Sequence, residues 1–120
     1  MRNKIANFAV GVATYCESNV RSDFQKNIGL QIIRSSTSAF LNHAEADAPE
    51  SGRDFVHKLK LCDKEIRETR NALYLLMIKE DSPNEDMLNA LLLDADELCA
   101  MIYSSIRTAK RNIAARNPRK

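Results

Sequence analysis

Two stretches of the chain carry mostly apolar residues in alternating steps of four and three. One ladder comprises Phe55, Leu59, Cys62, Ile66, Thr69, Leu73 and Leu76. The other comprises Leu88, Leu92, Ala95, Cys99, Ile102, Ile106, Ala109 and Ile113. This spacing places each set on one stripe of an α-helix, the seam through which bundled helices pack. Because one helix cannot cover its own stripe, the pattern predicts several helices that bury their stripes together.

Two further helices are predicted before the ladders. The first spans about residues 3–17, where four apolar residues keep helical spacing: Ile5, Phe8, Val12 and Tyr15. The second spans about residues 20–47, and its predicted inward residues are Phe24, Ile28, Ile32, Ser35 and Ala39, with Ile33, Phe40 and Ala44 widening the stripe. The small residues near its middle would let a neighbouring backbone come close, and their hydroxyl groups can bond to the preceding turn.

Capping residues predict where the last two helices begin. Ser51 follows Pro49 and is the predicted N-cap of a third helix over residues 51–79, with Asp54 closing a capping box. Ser82 is the predicted N-cap of a fourth helix over residues 83–112, in which Pro83 takes the first position and Glu85 closes the box.

The short connections between these helices make sequential neighbours antiparallel. The sequence therefore predicts an all-α fold, an antiparallel up-down-up-down left-handed four-helix bundle in a single domain over residues 1–120, with a basic C-terminal tail over residues 113–120 that frays at Asn117-Pro118. The length of 120 residues and the scarcity of breakers, three Gly and three Pro, agree with this prediction.

The cysteines and the N-terminal segment bear on localisation. The three cysteines, Cys16, Cys62 and Cys99, form no C-x-x-C pair, which favours free thiols in a reducing compartment. Basic residues before the apolar residues 5–13 resemble a secretion signal, but Tyr15 is too bulky for a lipoprotein cleavage site before Cys16. No stretch approaches the roughly 20 apolar residues of a membrane span. We therefore expect a cytoplasmic protein whose first segment is a bundle helix.

The net charge of +2 conceals an uneven distribution. Six basic residues and no acidic residue follow Ser105: Arg107, Lys110, Arg111, Arg116, Arg119 and Lys120. The rest of the chain has 12 basic and 16 acidic residues, a balance of −4. A basic end on an acidic body can bind an anionic partner. Alternatively, the cations favour the negative end of a helix and keep the tail soluble.

A second stripe on the third helix is basic and comprises Arg53, His57, Lys60, Lys64 and Arg67. Cations aligned on one helix face can follow a phosphate backbone and release counter-ions. A solvated face is the alternative, since acidic residues lie nearby in the sequence. The predicted nucleic-acid-binding residues are Arg53, Lys60, Lys64, Arg67, Arg107, Lys110 and Arg111. No aromatic residue interleaves these charges, so base-specific recognition is not supported.

Other polar residues have structural explanations. Arg34, Glu65 and Glu68 lie close to the core stripes, and we interpret them as a structural ion pair between the second and third helices, because a buried Arg needs a carboxylate partner. Asp54 and His57 form a single acid-x-x-His pair, whereas a di-iron bundle needs two such pairs and further carboxylates.

The sequence contains no recognisable catalytic motif. The Arg53–His57 spacing is too short for the Arg–His pair of helical toxin ribonucleases, and there is no G-x-S-x-G motif or phosphate-binding glycine loop. We therefore expect no enzymatic activity, no cofactor and no metal.

The middle of the chain carries a family resemblance. The relevant segments are Gln31-Ile-Ile-Arg-Ser-Ser-Thr-Ser, Asn42, Ala44-Glu-Ala46, Glu50-Ser51, Asp54-Phe-Val-His-Lys-Leu59, Lys64-Glu65 and Glu68-Thr69. In these the chain resembles the bacterial four-helix-bundle proteins encoded within ribosomal-RNA intervening sequences, whose relatives include the accessory protein of diversity-generating retroelements. The resemblance extends over roughly residues 5–113.

The resemblance implies a non-catalytic bundle that assembles into a ring-like homopentamer. For the retroelement relatives it also implies a basic surface that engages nucleic acid (RNA or DNA) and a reverse transcriptase. The function expected first is therefore binding to nucleic acid or to a nucleoprotein partner. The alternative is a scaffold without a nucleic-acid role, whose subunit contacts could include Val56, Leu61 and Leu75, which lie off the main seam.

Overall fold

The chain forms four α-helices in the computed structural model, which describes residues 1–79 and 82–116. The helices are α1 (Arg2–Asn19), α2 (Asp23–Ala46), α3 (Gly52–Ile78) and α4 (Glu85–Arg116), and the described residues contain no strand. This arrangement confirms the all-α four-helix fold that the apolar ladders predict. None of the described helices is long and apolar enough to cross a membrane.

Each helix packs against two others, in the cyclic order α1, α2, α3, α4. Contacts between helix ends establish their relative directions. Three of these contacts are the ion pair between Arg2 and Asp47 at 3.1 Å, the ion pair between Lys58 and Glu45 at 2.6 Å, and the hydrogen bond that the Tyr15 hydroxyl donates to the Pro83 carbonyl at 2.8 Å. In each case the start of one helix lies beside the end of its neighbour, so adjacent helices are antiparallel.

The predicted stripes of α1 and α3 form much of the core. All four predicted residues of α1 are buried. In the α3 ladder every residue from Leu59 to Leu76 is buried, while Phe55 lies half-buried at the end of the bundle. The α4 ladder is buried at Leu88, Ala95 and Ile102, and its other positions are partly exposed.

The prediction for α2 is wrong at two positions. Phe24 and Ile33 are exposed, although both were expected to face the core. Gln25 takes the buried position at the start of α2, because its side chain accepts a hydrogen bond from the Ser22 backbone while Ser22 caps Gln25 in return. This capping box follows the Ser-x-x-Gln pattern, so the sequence contained the signal for the true start of α2.

The Ser51 cap of α3 is confirmed, but its capping box is not. The Ser51 hydroxyl accepts a hydrogen bond from the Asp54 N–H at 3.1 Å. The Asp54 carboxylate accepts from the Glu50 N–H, also at 3.1 Å, rather than from that of Ser51. The reciprocal bond is therefore displaced by one residue.

The predicted start of α4 is wrong. Ser82 donates its hydroxyl hydrogen bond to the Leu76 carbonyl and so closes the end of α3. Asn84, which has a positive φ of 56°, accepts from the Met87 N–H at 3.3 Å and caps α4 instead. The helix continues to Arg116, so the first four residues of the predicted tail are helical, and residues 117–120 lie outside the described residues.

Helix α4 is longer than α1, and this difference exposes part of α4 at one end of the bundle. Lys4, in the first turn of α1, pairs with Glu97 and lies 4.0 Å from the Met101 sulfur. Because α1 begins at this level, the last part of α4 extends beyond it and packs beside the start of α3. The basic residues of α4 lie in this extension.

Candidate nucleic-acid interface

The basic stripe of α3 lies on the outer surface of the bundle. All five of its residues, from Arg53 to Arg67, are exposed. The buried residues Leu59, Ile66 and Leu73 occupy the opposite side of the same helix. Helical spacing therefore places the cations on one continuous outer face.

Antiparallel packing brings one α4 cation to this face. Lys110 lines a cleft of about 330 Å³ together with Arg53, His57 and Lys60. The apolar side chains of Val56 and Ile113 complete its lining. The two basic segments, which are about 50 residues apart in sequence, thus form one surface at this end of the bundle.

A neighbouring cleft of about 500 Å³ adds a cation that the predicted set lacks. Arg116 lines it with Arg53 and Lys110, beside Ser51 and Gly52 at the N-terminus of α3. The positive end of the α3 dipole adds to the potential of these three side chains. Arg116 belongs to the basic run of the sequence, but its place in this cleft depends on α4 continuing past residue 112.

The three cations predicted on α4 point in two different directions from that helix. Lys110 faces α3, as the shared cleft shows. Arg107 and Arg111 are exposed and lie one helical turn apart, so they share the outer face of α4. All three are close in space, but Lys110 is the one that joins the α3 stripe directly.

Carboxylates neutralise the distal part of the α3 face. Arg67 pairs with Asp63 at 3.0 Å, and this hydrogen bond raises the pKa of Arg67 above its usual value. Arg70, one turn away, pairs with Asp96 of α4. Within residues 1–79 and 82–116, the other six predicted cations have no carboxylate within 4 Å: Arg53, Lys60, Lys64, Arg107, Lys110 and Arg111. Positive charge is therefore concentrated on the first half of α3 and the end of α4.

The proposed ion-pair residues lie together between α2 and α3. Arg34 pairs with Glu68, and its Nη1 lies 3.6 Å from the Glu65 Oε2, which is too far for a hydrogen bond. The expectation that Arg34 is buried is wrong, because 57% of its side chain is exposed. Glu65 is the more enclosed group, and burial, followed by the neighbouring Glu68, raises its pKa.

Other potentially reactive groups have structural roles. The Asp54 carboxylate accepts the Glu50 N–H, and the part of the chain that the structure describes contains no cluster of three or more metal-ligating side chains. The three cysteines are free. Burial raises the pKa of Cys62 to about 12 and that of Cys16 to about 11, so both are protonated thiols at neutral pH.

Exposed apolar residues gather on a different face. Leu30, Ile33, Thr37 and Leu41 are exposed and follow helical spacing on the outside of α2; we name them the α2 outer stripe. Exposed Val10 lies on the adjacent helix α1. The expected contact residues were different: Val56 is buried, Leu61 is half-buried, and Leu75 is exposed on α3.

Comparison with known proteins adds a family and a structural neighbour. The sequence model described as 23S rRNA-intervening sequence protein matches residues 1–104. The chain is similar to a crystal structure of a protein of unknown function from the S23 ribosomal protein family of Bacteroides thetaiotaomicron, with 29% identity and a TM-score of 0.75. The similarity covers 88% of this chain and 96% of that one. No match was found among the curated proteins.

Proposed function

Because the chain belongs to the 23S rRNA-intervening sequence protein family, we propose that it is a non-catalytic, self-associating protein that binds nucleic acid. The binding surface is the face shared by α3 and α4, which we name the α3–α4 face. It comprises Arg53, Lys60, Lys64, Arg107, Lys110, Arg111 and Arg116, with Arg67 at its edge, where it pairs with Asp63.

The observation that carries this proposal is the convergence of unneutralised cations from two helices. Arg53, Lys60 and Lys110 line one cleft and have no carboxylate within 4 Å among the described residues. Cations held apart from carboxylates exchange mobile counter-ions for phosphate groups, which is the main source of sequence-independent affinity for nucleic acids. A surface that only keeps the protein soluble would not need cations from two helices to line one cleft.

An exposed apolar surface away from the cations supports the self-association in this proposal. The α2 outer stripe offers an apolar contact surface on a different helix from the α3 stripe, so subunits could join without covering the cations. Repetition of a weak basic surface around an oligomer raises the overall affinity without any new contact. Five copies is the number that the family resemblance implies, and a reverse transcriptase is a further partner that the same resemblance suggests.

A salt-titrated binding assay tests the proposal. The wild-type protein should bind structured RNA with an affinity that falls steeply as salt increases. The double variant K60E/K64E should bind more weakly and lower the slope of log affinity against log salt by about one unit per lysine. The matched control R21E/K26E makes the same charge change with two exposed cations at the opposite end of the bundle, and it should bind like the wild type. Binding that ignores both salt and K60E/K64E would refute the proposal.

A scaffold without a nucleic-acid role is the second candidate, and the α2 outer stripe is the observation that favours it. The two functions differ in a simple respect. A protein that sediments as an oligomer and yet binds neither RNA nor DNA at low salt is a scaffold.

A further inference from the structure

Tyr103 is an exposed aromatic residue on α4, between the ion pair of Asp96 with Arg70 and the cleft that Lys110 lines with residues of α3. Its side chain is 61% exposed, and its hydroxyl group has no hydrogen-bond partner within the residues that the structure describes. Buried Tyr15, in contrast, donates its hydroxyl to the Pro83 carbonyl. Packing and hydrogen bonding therefore account for Tyr15 but not for the outward position of Tyr103.

The register of α3 against α4 locates Tyr103 along the α3–α4 face. Seven residues before it, Asp96 pairs with Arg70; seven residues after it, Lys110 lines the cleft with Arg53 and Lys60. Two turns of helix separate residues seven apart, so all three α4 residues point to the same side of the helix. Antiparallel packing then places Tyr103 midway between the two contacts, level with Asp63 and Lys64 of α3.

Exposed cations lie on both helices near the level of Tyr103. Lys60 and Lys64 lie on the adjoining outer face of α3, one turn apart, and both lack a carboxylate partner within residues 1–79 and 82–116. Arg107 lies one turn after Tyr103 on α4 and is exposed on the outer face of that helix. Lys110 is about 10 Å along the helix from Tyr103, at the cleft. An exposed ring is thus flanked by groups that can hold phosphates.

We propose that Tyr103 stacks on an unpaired base, and that the α3–α4 face therefore takes single-stranded rather than duplex nucleic acid. This inference rests on the proposed nucleic-acid function and specifies its substrate class. The bases of a duplex are stacked on one another and present only their edges, so an aromatic ring on a convex helical surface cannot reach their faces. In a single strand the bases are free to stack on a side chain while neighbouring cations bind the backbone.

Stacking on Tyr103 would also explain why this surface combines an exposed aromatic ring with cations. Charge by itself does not explain that combination. A site for duplex backbone can use the Tyr103 hydroxyl as a donor to phosphate but not the face of its ring, so Tyr103→Phe distinguishes the two uses. Every base offers a π-face, so stacking on Tyr103 would be tolerant of sequence and of the sugar. Single-stranded RNA and single-stranded DNA are both suitable ligands, and the experiment compares them.

The chain provides a matched control in Tyr74. It is the other exposed tyrosine, at 53%, and it lies near the end of α3. The cleft that it lines contains Gln31, Glu68, Asn71, Ala72 and Leu75, so its lining is neutral or acidic rather than basic. An identical substitution at Tyr74 removes a comparable ring from a cleft whose lining residues include no cation.

The experiment measures affinity for three probes of equal length, about twelve nucleotides, at one low salt concentration. They are single-stranded oligo-uridine, the corresponding oligo-deoxythymidine, and an RNA duplex. The wild type should bind both single strands more tightly than the duplex. Tyr103→Ala should weaken single-strand binding by about five- to 150-fold and leave duplex binding unchanged. Tyr103→Phe and Tyr74→Ala should both bind like the wild type, since stacking needs the ring at position 103 but not its hydroxyl.

Two further measurements do not depend on a destabilising variant. A phosphodiester strand of the same length without bases should bind the wild type more weakly than oligo-uridine, by a factor similar to the effect of Tyr103→Ala. The chain contains no Trp and three Tyr, so tyrosine emission is readable directly. Oligo-uridine should quench this emission in the wild type and much less in Tyr103→Phe.

The outcomes distinguish failure of the stacking inference from failure of the proposed nucleic-acid function. If K60E/K64E abolishes binding while Tyr103→Ala and removal of the bases do not affect it, the nucleic-acid function stands and the stacking inference is wrong. Preference for the duplex also overturns the inference. If no probe binds the wild type at low salt, the proposed function itself fails, and the inference fails with it.

Discussion

The hydroxyl oxygens of Ser35 and Thr69 lie 2.5 Å apart across the contact between α2 and α3. Both side chains are fully buried. Each hydroxyl also has a carbonyl acceptor on its own helix: the Glu65 carbonyl lies 2.9 Å from the Thr69 hydroxyl, and the Ile32 carbonyl lies 3.4 Å from the Ser35 hydroxyl. Either hydroxyl can therefore donate to the other while the second donates to its own helix. The small side chains on α2 leave room for this polar link in an otherwise apolar seam.

Removing either hydroxyl group should destabilise the fold, and the effects of the two substitutions should be coupled. We expect Ser35→Ala and Thr69→Val each to lower the free energy of unfolding by about 0.5–1.5 kcal/mol, because each removes the buried hydrogen bond between the two helices. The double variant should lose less than the sum, with a coupling of about 1 kcal/mol. Urea denaturation of the four proteins in this cycle provides the measurement.

Ser36 is the matched control for that cycle. It is also fully buried, and its hydroxyl bonds only within α2, to the Ile33 carbonyl at 3.3 Å, among the described residues. Ser36→Ala and Thr69→Val should therefore be additive. If Ser35 and Ser36 showed equal coupling to Thr69, the substitutions would be acting by weakening the packing of α2 rather than by removing one hydrogen bond.

Asn84 is expected to stabilise the start of α4 in two ways. It accepts the Met87 N–H, and its φ of 56° lies in the left-handed region that Asn and Gly tolerate. Asn84→Ala should lower the free energy of unfolding by about 1–2 kcal/mol, whereas Asn84→Gly should retain most of the stability. Asn89→Ala, on the exposed surface of the same helix, should be neutral or slightly stabilising because Ala is the better helix former.

His43 should make stability depend on pH. Burial lowers its pKa below the usual value of 6.5, against the attraction of Asp47 and with the help of Arg2. The unfolded chain then binds the proton more readily than the folded one, so stability is highest above about pH 6.5 and falls as the pH is lowered through the pKa of the folded state. Its Nδ1 is buried without a hydrogen-bond partner among the described residues, which is consistent with a neutral ring.

Urea denaturation at about pH 7.5 and about pH 5.5 measures this effect. His43→Leu should reduce the difference in stability between the two conditions. The exposed His57 provides the control, and His57→Gln should leave the difference unchanged. An unaltered difference in His43→Leu would assign the pH dependence to other groups.

The α2 outer stripe should mediate self-association. Leu30 and Leu41 are exposed, Leu30 at 72%, so replacing both with Glu should leave the fold intact while introducing charges into an apolar contact. We expect the wild type to sediment as an oligomer at micromolar concentration and L30E/L41E to sediment as a monomer. Leu93 on α4 is 69% exposed, and Leu93→Glu should remain oligomeric. A wild type that is monomeric throughout would exclude this role for the stripe.

Much of the site could be predicted from local spacing. The steps of three and four from Arg53 to Arg67 establish that these cations share one helix face, because helical geometry relates residues within a few turns. The same argument explains why the core residues of α1 and α3 were predicted correctly. The ion pair of Arg67 with Asp63 follows from the same helical geometry, because the two residues are four apart.

The errors have a common physical cause. The start of α4 depends on whether Ser82 points toward α4 or back to the Leu76 carbonyl at the end of α3, a choice that packing makes and capping statistics do not. Phe24 was assigned to the core from its periodicity, but the burial of Gln25 turns it outward. In both cases a local preference competes with a contact from elsewhere in the fold.

The sequence by itself determined the number of helices, their apolar stripes and the basic face of α3, since each follows from the order of residues within one segment. The tertiary structure decided which charges act together. It set Lys110 and Arg116 against Arg53, and it neutralised Arg70 with Asp96. These relationships depend on the register between two antiparallel helices, which is established by side-chain packing across their whole length and is not encoded at any single position.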